Sequence, residues 1–205
     1  SPDIERLDAQ LKAKKDELPA LPKPTKESHS NGYHSAIEPT PDKVKWVQVD
    51  LVNRTPIDEM RLIPARPTDF ADTPGFGFPP RFRVEFSDDE DFRQKTIVAD
   101  HTAADFPNPG ETPCVVPGKG QRGRFVRVTA TRLWERTKDF VFALAELEVY
   151  SGTNNLAPGT RVTALDSIEA GRWGATKLVD KYDSRKSLTQ SPEPPQVATK
   201  RKELE

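Results

Sequence analysis

Two stretches of this chain, Lys45-Trp46-Val47-Gln48-Val49-Asp50-Leu51 and Phe142-Ala143-Leu144-Ala145-Glu146-Leu147-Glu148-Val149-Tyr150, alternate apolar and polar residues over most of their length. Successive side chains leave a strand on opposite faces, so this alternation, rich in β-branched and aromatic types, predicts half-buried β-strands. In the first, Val47, Val49 and Leu51 make an aliphatic face, and Trp46, Gln48 and Asp50 make the other. In the second, Leu144, Glu146, Glu148 and Tyr150 share one face, and Ala145, Leu147 and Val149 the opposite one. Glu146 thus sits among apolar strand residues, where a carboxylate needs a partner.

Further strands are predicted at 57–64, 81–87, 95–99, 113–117 and 124–131. Turn-rich segments separate them: Asp72-Thr73-Pro74-Gly75-Phe76-Gly77-Phe78-Pro79, the acidic Ser87-Asp88-Asp89-Glu90-Asp91, and Gly118-Lys119-Gly120, which reads as a hairpin connection. Short strands at regular spacing predict an all-β fold, an antiparallel β-sandwich. Ahead of it, residues 1–18 predict a short N-terminal helix. Ser1 and Pro2 suit its cap and first turn, and Ile4, Leu7, Leu11 and Leu18 lie at helical spacing. Pro19, Pro22 and Pro24 end it. The expected organisation is helix and Pro-rich linker over 1–24, the sandwich over 30–152, a further segment over 153–188, and a linker or tail over 189–205.

With 34% hydrophobic residues and 20 prolines in 205 residues, a folded core is expected to be flanked by segments that do not join it. The net charge of -1 argues against a nucleic-acid partner and against an anionic membrane surface. No apolar run approaches the roughly 20 residues of a membrane span. The chain starts at Ser1 rather than Met, as an excised piece or processed protein would. Its single cysteine, Cys114, lies in an apolar Cys-Val-Val run and reads as a small buried hydrophobe.

The motifs of catalysis are missing. The three histidines, His29, His34 and His101, have no zinc-binding spacing, and there is no nucleophile elbow, phosphate loop or dinucleotide fingerprint. A non-catalytic role is expected. For sugar binding, an aromatic platform needs planar polar neighbours. The loop aromatics are Tyr33, Phe70, Phe76, Phe78, Trp134 and Trp173, with His34, Arg66, Asp69, Arg132 and Arg136 among the polar candidates. Trp134 with Arg132 and Arg136 is the preferred cluster, and Tyr33, His34 and Phe76 are further candidates. Phe76, between two glycines, suits either an exposed tip or a buried loop anchor, and Trp46 is expected to pack in the core or against a loop.

Four blocks carry a family resemblance: Trp46-Val47-Gln48-Val49-Asp50-Leu51, Phe82-Arg83-Val84-Glu85-Phe86-Ser87-Asp88-Asp89, Gly123-Arg124-Phe125-Val126-Arg127-Val128-Thr129-Ala130-Thr131 and Ala145-Glu146-Leu147-Glu148-Val149-Tyr150. In this order they resemble the discoidin, or coagulation factor 5/8 type C, family of galactose-binding-like jelly rolls. The Asp72–Pro79 loop and the Leu133-Trp134-Glu135-Arg136 stretch are similar to discoidin-type modules of large exported planctomycete proteins that also carry cytochrome-c-like domains. The resemblance implies a carbohydrate-binding accessory module, joined to other domains of a larger polypeptide and extracytoplasmic. The alternative is a structural or protein-interaction module without sugar affinity.

It also implies a structural calcium ion, Ca2+, held between an early Asp-Gly loop and the Glu of the last strand. Carried over, this names Glu146, with either Asn31 and Ser35 or Asp180 and Asp183. Asn31 stands where the family has Asp, and Lys181 where it has Gly after Asp180. A non-metal account pairs Glu146 with Arg127 or Arg132. Finally, Asn155-Leu156-Ala157-Pro158-Gly159-Thr160-Arg161-Val162-Thr163-Ala164 resembles the opening strand of such a domain, placed after the end of one. Two arrangements follow: a truncated second domain begins here, or the segment packs on the first in permuted order.

Overall fold

The computed structural model describes residues 29–188, together with Ile4, Glu5 and Leu7, which are helical. The remainder of the expected N-terminal helix, and the tail from 189, lie outside the described residues.

The fold is an antiparallel β-sandwich. Its frame is two long strands, β2 (Lys45–Ile63) and β5 (Cys114–Arg132), which pair along most of their length. They are joined by β1 (Tyr33–His34), β3 (Arg81–Ser87), β4 (Thr96–His101), β6 (Trp134–Glu135), β7 (Phe140–Val141), β8 (Ala143–Leu144), β9 (Glu146–Ser151), β10 (Asn154–Asn155) and β11 (Arg161–Ala164). The first half of β2 lies between β11 and β5, and its second half between β9 and β5. The same two strands thus serve both halves of the sandwich. The inward residues of the two halves, among them Val47, Val49, Val84 and Val128 from one and Met60, Leu62, Leu147 and Val149 from the other, share one core.

Each frame strand has an irregularity that local alternation does not reveal. In β2, Leu51 to Arg54 stand opposite Arg124 alone, with Val52 at φ 70° and its N–H bonded to Asp50 Oδ1 at 2.9 Å. In β5, Gly118 to Gly120 stand opposite Asp58 alone. The hairpin expected at Gly118-Lys119-Gly120 is therefore a bulge within one strand, and the strands expected at 44–51 and 57–64, and at 113–117 and 124–131, are each continuous. A bulge bends a strand without reversing it. The strand expected over 141–150 is, conversely, divided among β7, β8 and β9, which pair with β6, β1 and β2 respectively.

Residues 154–188 pack on this body. β10 pairs with β9 and β11 extends the sheet beside β2. Ala157, Leu178 and Val179, the last two in a 3-10 turn at Ala175–Val179, are buried in the main core.

Candidate functional site

Strand alternation separates the two aromatic residues of β1. Tyr33 enters the main core, where its hydroxyl donates to the Asp166 carbonyl at 3.2 Å and burial drives its pKa upward. His34 leaves on the other side. Its Nδ1–H donates to the Ser35 carbonyl at 2.6 Å, and burial lowers its pKa, so the ring is neutral at pH 7.

On His34's side lies a second apolar cluster with Phe76 at its centre. Phe76 rings contact Phe70 and Trp134, both at 5.1 Å, and Trp173 and His34, both at 5.8 Å. The flanking glycines explain the placement. Gly75 and Gly77 both have positive φ, and a Cβ on Gly77 would stand 2.5 Å from the Ala143 Cβ. The loop can press onto β8 only because no side chain is there. Phe76, 2% exposed, is thereby a buried anchor. It supports Trp134, Trp173 and Phe70 from beneath, and these three are half-buried at the surface.

Polar planes rim this aromatic surface. On one side Arg136 makes a bidentate pair with Asp139 at 3.0 and 2.6 Å, close enough that both act electrostatically on His34. On the other, Asp69 accepts from Asn31 Nδ2 at 3.1 Å and meets Arg172 Nη2 at 3.4 Å. Arg132 ends β5 and, like Trp134, flanks the core residue Leu133. Its guanidinium makes no hydrogen bond or ion pair among the described residues. Of the expected ligand residues, Trp134, His34, Phe76 and Arg136 are therefore brought together. Tyr33 is sealed in the core. Trp173 and Arg172 enter from a segment distant in sequence.

Glu146 is fully buried at the start of β9. Oε1 accepts the Lys181 N–H at 2.9 Å, and Oε2 has no hydrogen-bond partner. Burial, with Asp180 and Glu148 nearby, pushes its pKa up to about 9. Asp180, bonded to the Ser30 hydroxyl, is also raised, chiefly by burial. Asn31 is buried with its Oδ1 unsatisfied. The Asn31-Gly32 backbone abuts this corner, since a Cβ on Gly32 would lie 2.5 Å from the Ala145 Cα. Orphaned oxygens and two carboxylates that resist ionisation are the marks of a site short of positive charge. Glu146, Asp180 and Asn31 fit an oxygen-ligated cation in donor type.

Ser35 and Asp183 are engaged elsewhere. Ser35 Oγ accepts the Phe142 N–H at 2.9 Å, and Asp183 Oδ1 accepts the N–H groups of Arg185 and Lys186, both at 2.8 Å. Neither expected arginine meets Glu146. Arg127 lies in the other half of the sandwich, bonded to Gln48 and stacked on Trp46. The expectation failed because alternation gives the face of a strand but not which half of the fold it faces.

Comparison with protein-family models and with curated proteins gave no match. Among solved structures, the chain is similar to the C-terminal domain of a chitobiase from Bacteroides fragilis, with a TM-score of 0.37 and 17% identity. The alignment covers 59% of this chain and 66% of that one, just under two thirds of its length.

Proposed function

We propose that this chain is a non-catalytic, discoidin-like carbohydrate-binding module of a larger exported protein. The observation that supports it is the half-buried surface of Trp134, Trp173 and Phe70, held from below by Phe76 and rimmed by the Arg136–Asp139 and Asp69–Arg172 pairs. A pyranose ring has an apolar face of C–H groups that stacks on indole and phenyl rings, and equatorial hydroxyls that suit planar, preoriented donors and acceptors. Positioned rings lose little entropy on binding.

The proposal includes a structural calcium ion at Glu146, Asp180 and Asn31. Bound there, it would supply the positive charge that the two carboxylates lack. Through Asp180, Asn31 and Glu146 it would tie the 180s turn and the early loop to β9. Asn31 also bonds Asp69 at the rim of the aromatic surface, so ordering this corner orders the rim.

Affinity gel electrophoresis on a panel of polysaccharides, with wild type, Trp134→Ala and Trp173→Ala, tests the reading. Retardation of wild type by at least one polysaccharide, weakened tenfold or more in either variant, is expected. Wild-type mobility unchanged in every gel would instead favour a structural or protein-interaction module.

A further inference from the structure

The polar face of β2, Trp46-Gln48-Asp50, does not face bulk water along its whole length. The loop after β3 folds across it, burying Phe92, and leaves beside itself a cleft of about 350 Å3 lined by Trp46, Gln48, Glu90, Asp91, Arg127 and Thr163. We infer that this cleft on the outer face of the sheet is a second glycan-binding site, taking one hexopyranose unit of a polysaccharide. The inference rests on the carbohydrate reading above but on a different set of residues.

Three features carry it. The first is register. Thr163 of β11, Gln48 of β2 and Arg127 of β5 are direct cross-strand neighbours, so their side chains form one row across three strands. The second is a stack that is sealed at one end and open at the other. The Arg127 guanidinium lies 3.9 Å from the Phe92 ring centroid and 4.0 Å from that of Trp46. Phe92 is 4% exposed and anchors the loop, whereas Trp46 is only half-buried and borders the cleft. A loop anchor accounts for Phe92 and Arg127. It gives no reason for an indole at the open end, with an Nε1–H that has no partner among the described residues.

The third feature is the state of the polar groups. Arg127 is held by Gln48 Oε1 at 2.7 Å, and Gln48 Nε2 by the Glu90 carbonyl at 3.1 Å. Arg124, Arg136 and Arg161 each pair with a carboxylate, but Arg127 meets none among the described residues. Its charge is balanced by ring faces and neutral carbonyls, leaving donor capacity for a neutral acceptor such as a sugar hydroxyl. Asp91 and Thr163 contribute an exposed carboxylate and a hydroxyl. A hexopyranose needs an aromatic edge, a fixed planar donor, and carboxylate and hydroxyl acceptors, and here all line one cleft of a size suited to one sugar. Glu90 is paired with Arg161 at 2.6 Å, and Asp91 and Arg127 offset one another, so the cleft has no excess of either charge and suits a neutral ligand.

Arg127→Ala would release the loop, so the test uses lining residues outside the stack. Asp91→Ala and Thr163→Trp, the latter filling the cleft, are compared with Trp134→Ala in affinity gels containing galactomannan, glucomannan, laminarin or hydroxyethyl cellulose, with melting temperatures measured in parallel. The expected result is a fivefold or greater loss of affinity for one polysaccharide in both cleft variants, at unchanged melting temperature. Binding weakened by Trp134→Ala but untouched by both cleft variants would overturn this inference and leave the first site standing. Wild type unretarded in all four gels would overturn both.

Discussion

The backbone N–H of Lys181 donates to Glu146 Oε1 at 2.9 Å, joining a turn near the end of the described chain to the buried carboxylate that opens β9. This contact places an ionisable group under the control of a segment 35 positions away, and it makes the charge state of Glu146 a stability variable.

Burial raises the Glu146 pKa to about 9, so without a cation the folded state holds this carboxyl protonated at pH 7 while the unfolded chain ionises it. Stability from this group is therefore complete below the ordinary value near 4.5 and is lost as pH rises towards 9. Glu146→Gln removes that cost, on the order of 3 kcal/mol at pH 7. In chelator the variant should melt above wild type, with the gap widening from pH 5 to pH 8. Added calcium should raise the wild-type melting temperature alone. A variant that melts below wild type in chelator at pH 8 would refute the assignment.

Leu178 is fully buried in the main core although it lies beyond the last strand. Leu178→Ala should cost about 3 kcal/mol, the transfer and cavity terms of a core leucine. Urea denaturation measures this as a lower midpoint at unchanged slope. A loss below about 1 kcal/mol would mean that residues 154–188 are dispensable to the sandwich.

Asp50 accepts a bidentate pair from Arg124 at 2.8 and 2.9 Å, which holds its carboxyl down at about 2. A lowered acid contributes stability above its ordinary value near 3.8 and loses it as pH falls through 2. Arg161 Nη2 also reaches Asp50 Oδ2 at 3.3 Å, and with Arg124 and Arg161 both about half-exposed the contribution is about 1–2 kcal/mol after solvent screening. Asp50→Asn should be less stable than wild type at pH 7, and the two should converge by pH 2 in melts across that range.

Val52 is 63% exposed and held at φ 70°, a conformation costly for a β-branched residue. Val52→Gly should relieve roughly 1 kcal/mol of strain with little loss of burial. A melting temperature raised by several degrees is expected, and a lowered one would show that the valine side chain makes contacts worth more than the strain.

Much of the frame was legible because inward alternation leaves a direct trace: Val47, Val49, Val126, Val128, Leu147 and Val149 are all in the core. The bulges were not, since a bulge such as Leu51–Arg54 conserves composition and changes only which residue faces which. At the aromatic site, Trp134 and Phe76 stood out as loop aromatics beside glycines and arginines. Trp173, also a loop aromatic beside an arginine and a glycine, was not placed with them, because that proximity depends on Gly32 and Trp173 bridging across more than half the chain.

The sequence by itself determined that this chain forms antiparallel strands, that Val47, Val49 and Leu51 share one inward face, and that Glu146 would lie among apolar residues with no neighbour in sequence to neutralise it. These follow from side-chain direction and hydrophobicity, which are properties of a few adjacent residues. The same alternation misplaced Leu144, which was expected on the Glu146 face and instead shares the main core with Leu147 and Val149, while Ala145 joins the second cluster. Only the tertiary structure decided that two long strands serve both halves of the sandwich and that β11 extends the β2 edge. It likewise decided that the partners around Glu146 are Lys181, Asp180 and Asn31. Those are contacts between segments far apart along the chain, selected by the joint burial of many side chains rather than by any local pattern.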